Sequence, residues 1–357
     1  MRQGCQYNDD FIICLNEKDK RKMPNTIAKV RAQFNQSRQD LAALSPLQSP
    51  LVVYVETSSF CNLECRFCPH HISPESFNKE NMSLDLFEKL IEDMKEFAPR
   101  PKLIRFCGLG DPLFNKEFLQ MVRLARQSNV VEKLELITNG LLLSDLLIKE
   151  LPKLLDRIIV SIEGLNNEDY ENFTLRRVKF DALVDKLTKI GRQKNRRAVL
   201  HTKIHNSAVQ NEERKKQFFN IFSDVADEIY IENLVNLWPE VESNLGYESG
   251  HRFDGGELNK VNVCPQIFKS VQINSDGRVI PCCIDWKGIN IIGNLHKESI
   301  HEIWHGDKLR ELRIKHLQGK RHEFSPCSGC EMNEYSEKDN LDNHADQILH
   351  RLSHERT

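Results

Sequence analysis

The segment Cys61-Asn-Leu-Glu-Cys65-Arg-Phe-Cys68 places three thiols on a short stretch, directly after the apolar run at 51–56. Three thiolates at this spacing can bind three irons of a four-iron cluster and leave the fourth iron open to another ligand. A structural zinc ion usually requires four protein ligands, and only His70 or His71 follows closely enough to complete such a site. The spacing therefore favours an iron–sulfur cluster, with zinc as the alternative.

A second group of cysteines lies in the C-terminal third of the chain. It comprises Cys264, Cys282, Cys283, Cys327 and Cys330, whereas Cys107 stands apart from both groups. Spacing alone does not decide whether this second group binds zinc or another iron–sulfur cluster. The chain has eleven cysteines in total, and in a reducing compartment clustered thiols indicate metal binding rather than disulfides.

The composition is that of a globular protein, with 357 residues, 39% of them hydrophobic and 29% charged, and a net charge of -2. This balance gives no general attraction to nucleic acid or to membranes. No apolar run approaches the roughly 18–20 residues that span a bilayer, and the N-terminus lacks the features of a secretory signal. We therefore expect a cytoplasmic protein with neither a nucleic-acid nor a membrane partner.

Between residues 51 and 232, apolar strand-like runs alternate with helix-like stretches. The expected strands cover 51–56, 102–107, 133–138, 157–162, 198–204 and 228–232, and the expected helices lie near 83–97, 115–128, 144–155, 180–192 and 210–223. This alternation predicts an α/β fold with a parallel sheet, which right-handed crossovers would curl into a partial (β/α)6 barrel. In such a barrel the chemistry lies at the carboxyl ends of the strands, where the first cysteine group falls.

The chain divides into five parts. We expect an N-terminal extension at 1–50 with some helix around 25–43, the barrel at 51–232, a linker at 233–260, a small cysteine-bearing unit at 261–332 and a tail at 333–357. Within the small unit, 271–283 is predicted to form two strands joined by a turn at 274–277. The stretch 299–318 is predicted to be a helix because its apolar residues recur at helical spacing.

The loop from Cys61 to Cys68, with the aromatic Phe67 before its third cysteine, resembles the signature of the radical S-adenosylmethionine (SAM) superfamily. The resemblance implies that the open iron of a [4Fe-4S] cluster binds the amino and carboxylate groups of SAM. One electron, expected from flavodoxin or ferredoxin, then cleaves SAM into methionine and a 5'-deoxyadenosyl radical, which abstracts hydrogen from the substrate.

Three further segments match the family in order along the chain. Gly108-Leu-Gly110-Asp111-Pro112 is similar to the family's glycine-rich segment, although Asp111 replaces the usual Glu. Asn139 and Ser161 follow or end the next two strands, where turn formation or capping is the alternative role. The resemblance implies that SAM is contacted by Phe67, Gly108, Gly110, Asp111, Asn139 and Ser161.

The C-terminal cysteine segment resembles the SPASM and shorter twitch extensions of radical SAM enzymes, which carry auxiliary iron–sulfur clusters. No cysteine follows Cys330, so the resemblance implies one auxiliary [4Fe-4S] cluster bound by Cys264, Cys282, Cys327 and Cys330. Cys283 would then be a spare thiol or would exchange with Cys282. A cluster with four protein ligands has no open iron, and its expected roles are electron transfer and structural support.

An auxiliary cluster can take the second electron of a two-electron oxidation, which favours dehydrogenation of a small polar molecule such as a sugar or an aminocyclitol. Epimerisation is the competing outcome, with Cys107 returning a hydrogen atom to the substrate radical, unless this thiol simply fills buried space. Two further functions stay open. One is that of a peptide- or protein-modifying maturase, and the second is that of a non-enzymatic zinc protein whose basic stretch at 192–197 contacts nucleic acid.

Overall fold

The computed structural model describes residues 5–8, 11–14, 40–235, 252, 257–258, 261–335 and 339–354. Near the N-terminus, β1 (Cys5–Asn8) and β2 (Phe11–Cys14) pair in antiparallel fashion, and the short helix α1 (Leu41–Leu44) precedes the barrel. Most of the expected helix at 25–43 and most of the expected linker at 233–260 lie outside the described residues.

Six consecutive parallel strands extend to one edge of a nine-stranded sheet. They are β3 (Val52–Val55), β4 (Leu103–Phe106), β5 (Lys133–Thr138), β6 (Arg157–Ile162), β7 (Val199–His205) and β8 (Glu228–Glu232). They lie side by side in sequence order, as successive right-handed crossovers require. The α/β fold class and the six-stranded barrel sheet are therefore confirmed.

Helices connect the six strands and cover one face of the sheet. They are α2 (Pro69–Ile72), α3 (Leu84–Asp93), α4 (Phe118–Ser128), α5 (Asp145–Leu154), α6 (Asn167–Thr174), α7 (Phe180–Gly191) and α8 (Glu212–Phe222). Their apolar stripes bury Phe87, Val122 and Leu187 against strand residues such as Val53 and Ile104. This contact is the main hydrophobic core of the described chain.

The C-terminal unit continues the barrel sheet. It begins with α9 (Gln266–Lys269), β9 (Ser270–Ile273), β10 (Arg278–Ile280) and β11 (Gly293–Asn294). β9 runs parallel to β3, with Val271 opposite Val53, and β10 returns antiparallel after a turn at Gly277, whose φ of 81° favours glycine. The predicted hairpin is therefore present, but the boundary expected near 261 is not a break in the sheet.

Helices at the C-terminus pack beside this unit. They are α10 (Ile300–His305), α11 (Asp307–Leu317), α12 (Met332–Tyr335) and α13 (Ala345–His354). The single helix expected at 299–318 is interrupted at Gly306, whose ψ of 159° is extended rather than helical. None of the helices in the described part of the chain has the length and apolar character needed to cross a bilayer.

Candidate metal centres and the barrel lumen

The first cysteine group lies on the loop between β3 and α2, at the carboxyl end of the first barrel strand. Backbone contacts hold this loop against the end of α6. The Glu64 N–H donates to the Thr174 carbonyl at 3.0 Å, and the Arg66 N–H donates to the Phe173 carbonyl at 3.1 Å. Local patterning does not predict α6, because this polar helix buries only Tyr170 and Thr174. Its position makes it a support for the cysteine loop.

Cys61, Cys65 and Cys68 are free thiols, and each of these residues is partly exposed. Burial raises the pKa of Cys61 to about 11 and that of Cys68 to about 12. Burial also raises the pKa of Cys65 well above its usual value, and charges on Glu163, Cys68 and Cys61 raise it further. Three thiolates that repel one another need a cationic centre, and iron provides it, so the donor set fits a cluster.

A single zinc ion suits this loop less well. Within the described ranges, no three Cys, His, Asp or Glu side chains converge closely enough to hold one metal ion. A cluster spreads its thiolate ligands over separate irons, so this wider arrangement is compatible with it. His70, one of the two candidates for a fourth zinc ligand, is buried with its ring 5.0 Å from that of Phe77.

The glycine-rich segment after β4 packs directly on the cysteine loop. The Asp111 N–H donates to the Phe60 carbonyl at 2.9 Å. A Cβ atom on Gly110 would overlap the carbonyl oxygens of Ser58 and Phe60, and one on Gly108 would overlap the side chain of Glu56. Contacts within the protein therefore require glycine at both positions, and the expected close approach of SAM is a second reason for glycine there.

Asp111 links the glycine-rich segment to the end of β5. Its carboxylate is buried and accepts hydrogen bonds from the Thr138 hydroxyl at 2.8 Å, the Asn139 N–H at 2.8 Å and the Leu113 N–H at 3.0 Å. Asn139 in turn points its amide toward the cysteine loop, where Nδ2 lies 3.9 Å from the Cys61 sulfur. Asp111 therefore positions Asn139, and its side chain is already engaged by three protein donors.

Ser161 lies near the end of β6, and Glu163 directly follows this strand. Ser161 is half-buried and lies opposite Lys203 of β7. Burial raises the pKa of Glu163 to about 7, and its charge raises the pKa of all three loop cysteines. Glu163 was not among the site residues predicted from the sequence. It could have been found, because residues two apart in an extended segment point to the same side as each other, and Ser161 was already a candidate.

Phe67 lies beside the cysteines with its ring 5.6 Å from that of Phe173. Phe173 also stacks on His205 at the end of β7, with ring centroids 4.0 Å apart. This row of three rings connects the loop to the barrel wall. Phe67 is thus held at the edge of the lumen, where the expected SAM site would lie.

Ion pairs cross the floor of the lumen from strand to strand. Arg105 pairs with Glu135, and Arg157 lies 3.9 Å from Glu135 and 3.4 Å from Glu228. Nδ1 of His201 lies 3.4 Å from the same Glu228 carboxylate. Glu135, His201 and Glu228 are each at most 7% exposed. The inner face of the sheet is therefore charged, in contrast to its apolar outer face.

Four of the five cysteines in the second group line one cavity in the C-terminal unit. Cys264, Cys282, Cys327 and Cys330 all line it, together with apolar side chains including Ile267 and Ile284. Arg321 holds the last two cysteines by donating to their carbonyl oxygens at 2.9 and 2.7 Å. Burial raises the pKa of Cys282 well above its usual value, and charges on the neighbouring Cys283 and on the other three cavity thiols raise it further. These four thiols line one cavity, and four protein thiols are the ligand number of a fully ligated cluster.

Cys283 and Cys107 lie on the barrel side of this unit. Cys283 is not among the residues that line the cavity. Burial raises the pKa of Cys107 to about 12, which keeps the thiol protonated, while nearby Arg105 acts in the opposite direction and Cys283 adds to the shift. The two thiols and Arg105 therefore lie close together, with both thiols partly exposed.

The basic stretch at 192–197 precedes β7, at the end of the barrel opposite the cysteine loop, and acidic side chains neutralise part of its charge. Arg196 forms a two-pronged ion pair with Asp227, with Nη2 2.5 Å from the carboxylate, and Arg197 lies 2.9 Å from Asp156. This arrangement agrees with a structural role for these cations rather than nucleic-acid binding.

Family comparisons match the two cysteine regions separately. Residues 55–206 match the family described as the radical SAM superfamily, and residues 264–331 match SPASM, described as an iron–sulfur cluster-binding domain. Together the two matches include both cysteine groups and the glycine-rich segment.

Individual proteins similar to this chain differ in their activities. A Pyrococcus furiosus tungsten-containing aldehyde ferredoxin oxidoreductase cofactor-modifying protein is 25% identical, over 78% of this chain and 87% of the relative. A SAM-dependent 2-deoxy-scyllo-inosamine dehydrogenase of Niallia circulans is 23% identical, over 78% and 92%. The structure of native anSMEcpe with bound AdoMet has a TM-score of 0.56 at 16% identity and covers 86% of this chain and 98% of its own.

Proposed function

Because this chain belongs to the radical SAM superfamily and carries a C-terminal SPASM domain, we propose that it oxidises a small polar molecule inside its barrel. Members of this family use a [4Fe-4S] cluster and SAM, and SPASM domains bind auxiliary iron–sulfur clusters. The observation that carries the proposal is the charged inner face of the sheet. Such a face can form hydrogen bonds with the hydroxyl and amino groups of a substrate, which an apolar lumen would leave unpaired.

Cys61, Cys65 and Cys68 would hold the catalytic cluster and leave one iron for SAM. When bound, this pair of cofactors supplies the radical that removes a hydrogen atom from the substrate. The protein's contribution is to keep the loop rigid through α6 and to close the lumen floor with buried ion pairs. A closed floor protects a reactive radical from water and from unwanted hydrogen donors.

The expected SAM site lies between the cysteine loop and the carboxyl ends of the next strands. Asn139 and Ser161 are the side chains that would reach the cofactor, and Asp111 would act through Asn139, which it orients. The residues that we propose to line this site are Phe67, Gly108, Gly110, Asn139 and Ser161.

Oxidation of an alcohol carbon to a ketone removes one hydrogen atom, then one proton and one electron. The hydrogen atom would go to the radical that bound SAM supplies, the proton would pass to solvent water, and the electron needs an acceptor. The four thiols that line the SPASM cavity can hold a fully ligated cluster suited to that role. β9 of the SPASM unit also pairs with β3, the strand that leads into the catalytic loop. The two regions are therefore neighbours in one sheet.

Epimerisation is the second candidate, because Cys107 offers a protonated thiol at the end of β4. A thiol beside the substrate radical could return a hydrogen atom from the opposite face. Cys107 is partly exposed, and burial keeps its pKa high at about 12. Oxidation is preferred because it gives the auxiliary cluster a role, whereas epimerisation does not require one.

The superfamily assignment excludes the alternative of a non-enzymatic zinc protein. A maturase that acts on peptides is the third candidate. The names of the two relatives, one a cofactor-modifying protein and one an inosamine dehydrogenase, favour a small substrate over a peptide. The inward-facing charges favour the same choice.

The test uses anaerobically reconstituted protein with SAM and dithionite, which replaces the proposed flavodoxin or ferredoxin. An extract of deuterium-labelled cells is split by size into a small-molecule fraction and a peptide and protein fraction. We expect deuterium to appear in 5'-deoxyadenosine with the small-molecule fraction only. Transfer from the peptide and protein fraction alone would contradict the proposal. A Cys65→Ala variant is the matched control for radical-independent labelling.

A further inference from the structure

The upper part of the lumen carries side chains that remain accessible. Lys203 and Glu232 project from the neighbouring strands β7 and β8, and their side chains are 25% and 27% exposed. Nζ of Lys203 lies 2.6 Å from Oε2 of Glu232. Lys203 is also opposite Ser161 in the strand register. The ion pair is therefore at the level of the expected SAM site and above the buried floor.

A second row of polar groups lies one step further along the strands. His205 of β7 is opposite Glu232 of β8, and its Nε2 lies 3.5 Å from the carboxylate of Glu163. The His205 side chain is 8% exposed, and its Nε2 has no hydrogen-bond partner in the described structure. A buried polar atom without a partner costs free energy, so a ligand group that pairs with it is favoured.

Charge at this level of the lumen is unbalanced. Glu232 provides one carboxylate that Lys203 already pairs, and Glu163, whose pKa burial raises to about 7, adds a second carboxyl group that is partly ionised near neutral pH. His205 does not compensate, because burial lowers its pKa to about 4 and leaves the ring neutral near neutral pH. A cationic guest would restore the balance and would favour the ionised form of Glu163.

We propose that Lys203 and Glu232 determine substrate specificity by recognising an ammonium group and a neighbouring hydroxyl group on a polyhydroxylated ring. Glu232 accepts hydrogen bonds from the ammonium, and Lys203 donates to the hydroxyl oxygen. The substrate class is therefore an amino polyol rather than a neutral sugar. This inference rests on the proposed function and assigns the groups that select its substrate. Charge-assisted hydrogen bonds of this kind are stronger and more directional than neutral ones.

The experiment measures binding without chemistry, so that it is independent of the radical reaction. Anaerobic holoenzyme with SAM, but without a reductant, is titrated by calorimetry with two ring probes. One is 2-deoxy-scyllo-inosamine, the molecule named for the related dehydrogenase, and the other is scyllo-inositol, which has no amine. We expect the wild-type protein to bind the amine at least about tenfold more tightly, as expected for one charge-assisted hydrogen bond.

Variants then assign the preference to the ion pair. Glu232→Gln should lower the affinity for the amine about tenfold and remove the preference, whereas Glu232→Asp, which keeps the carboxylate, should retain it. Lys203→Met should weaken the binding of both probes. The double variant Lys203→Glu/Glu232→Lys preserves an ion pair and should still lose the preference. Lys102→Met is the matched control, because Lys102 and Glu132 form an exposed ion pair at the far ends of neighbouring strands.

The outcomes separate this inference from the function that it assumes. Equal binding of both probes by the wild type, or binding of neither, would overturn the amino-polyol class. An amine preference that survives both Glu232→Gln and the charge exchange would overturn the residue assignment. If deuterium transfer fails in the separate activity test while the amine preference and its loss in Glu232→Gln are observed, the proposed oxidation is wrong and the binding assignment stands.

Discussion

The side-chain amide of Asn139 donates a hydrogen bond to Oδ1 of Asn62 across 2.9 Å. This bond joins the end of β5 to the middle of the cysteine loop. Asn139 is itself fixed by the carboxylate of Asp111. The glycine-rich segment, the end of β5 and the catalytic loop therefore form one hydrogen-bonded unit, and a change in one part is expected to reach the others.

Asp111→Ala should disturb this unit. The change leaves the N–H groups of Leu113 and Asn139 and the Thr138 hydroxyl without their acceptor. An orphaned buried donor costs about 1–3 kcal/mol, so the free energy of unfolding should fall by roughly 3 kcal/mol. Denaturant unfolding measures this fall, and calorimetry should show weaker SAM binding. Asp145→Ala removes a carboxylate that is 91% exposed and should change neither quantity. Equal unfolding free energies and equal SAM affinities in the two variants would contradict the positioning role of Asp111.

Gly110→Ala should displace the cysteine loop, because the added methyl group overlaps backbone carbonyl oxygens that cannot move away as a flexible side chain could. Overpacking of this kind costs about 1–3 kcal/mol. The reconstituted variant should bind SAM at least about tenfold more weakly, since loss of about 1.4 kcal/mol corresponds to that factor. Lys116→Ala, at an exposed site just beyond this segment, is the control. Wild-type SAM affinity in Gly110→Ala would mean that the two loops do not depend on this contact.

Cys282→Ala and Cys283→Ala form a matched pair of neighbouring substitutions. Cys282 lines the SPASM cavity with three other thiols, whereas Cys283 does not line it. Cys282→Ala should therefore lower the iron content by about one four-iron cluster, because a fully ligated site loses one of its four ligands. Cys283→Ala should keep the full iron content. The reverse result, measured by iron analysis after anaerobic reconstitution, would show that the ligand assignment of these two cysteines is wrong.

Cys107→Ala distinguishes oxidation from epimerisation. If the thiol returns a hydrogen atom to the substrate radical, the variant should consume SAM without forming the epimerised product. The oxidation favoured above predicts instead that product and 5'-deoxyadenosine form in the wild-type ratio, because Cys107 takes no part. Chromatography of both compounds after single-turnover incubation gives this ratio. Continued SAM cleavage with product loss would establish epimerisation as the better account.

Much of the fold follows from local sequence patterns. The strands at 133–138, 157–162 and 228–232 have the predicted bounds, because each is a compact run of β-forming residues between turn or polar segments. The parallel pairing of β9 with β3 was not predictable in this way. It joins Val271 to Val53 across more than half of the chain, and no local period encodes a partner so distant in sequence.

The candidate site was predictable where it depends on spacing. Three cysteines within one short loop indicate a metal centre without any knowledge of the fold. The ion pairs of the lumen could not be predicted, because Arg157 reaches Glu135 and Glu228 only after strands from different parts of the chain are brought together. Asp111 was expected to contact SAM, yet its buried carboxylate accepts from three protein donors, a role that its sequence position alone does not reveal.

The most direct measurement concerns the open iron at Cys61, Cys65 and Cys68. A Cys327→Ala/Cys330→Ala variant removes two ligands of the auxiliary site and thereby isolates the catalytic cluster. We predict that electron paramagnetic resonance of this reduced variant shows one [4Fe-4S] signal that changes when SAM is added, and that a further Cys65→Ala change abolishes it. A signal that SAM leaves unaltered, or one that persists without Cys65, would contradict the account.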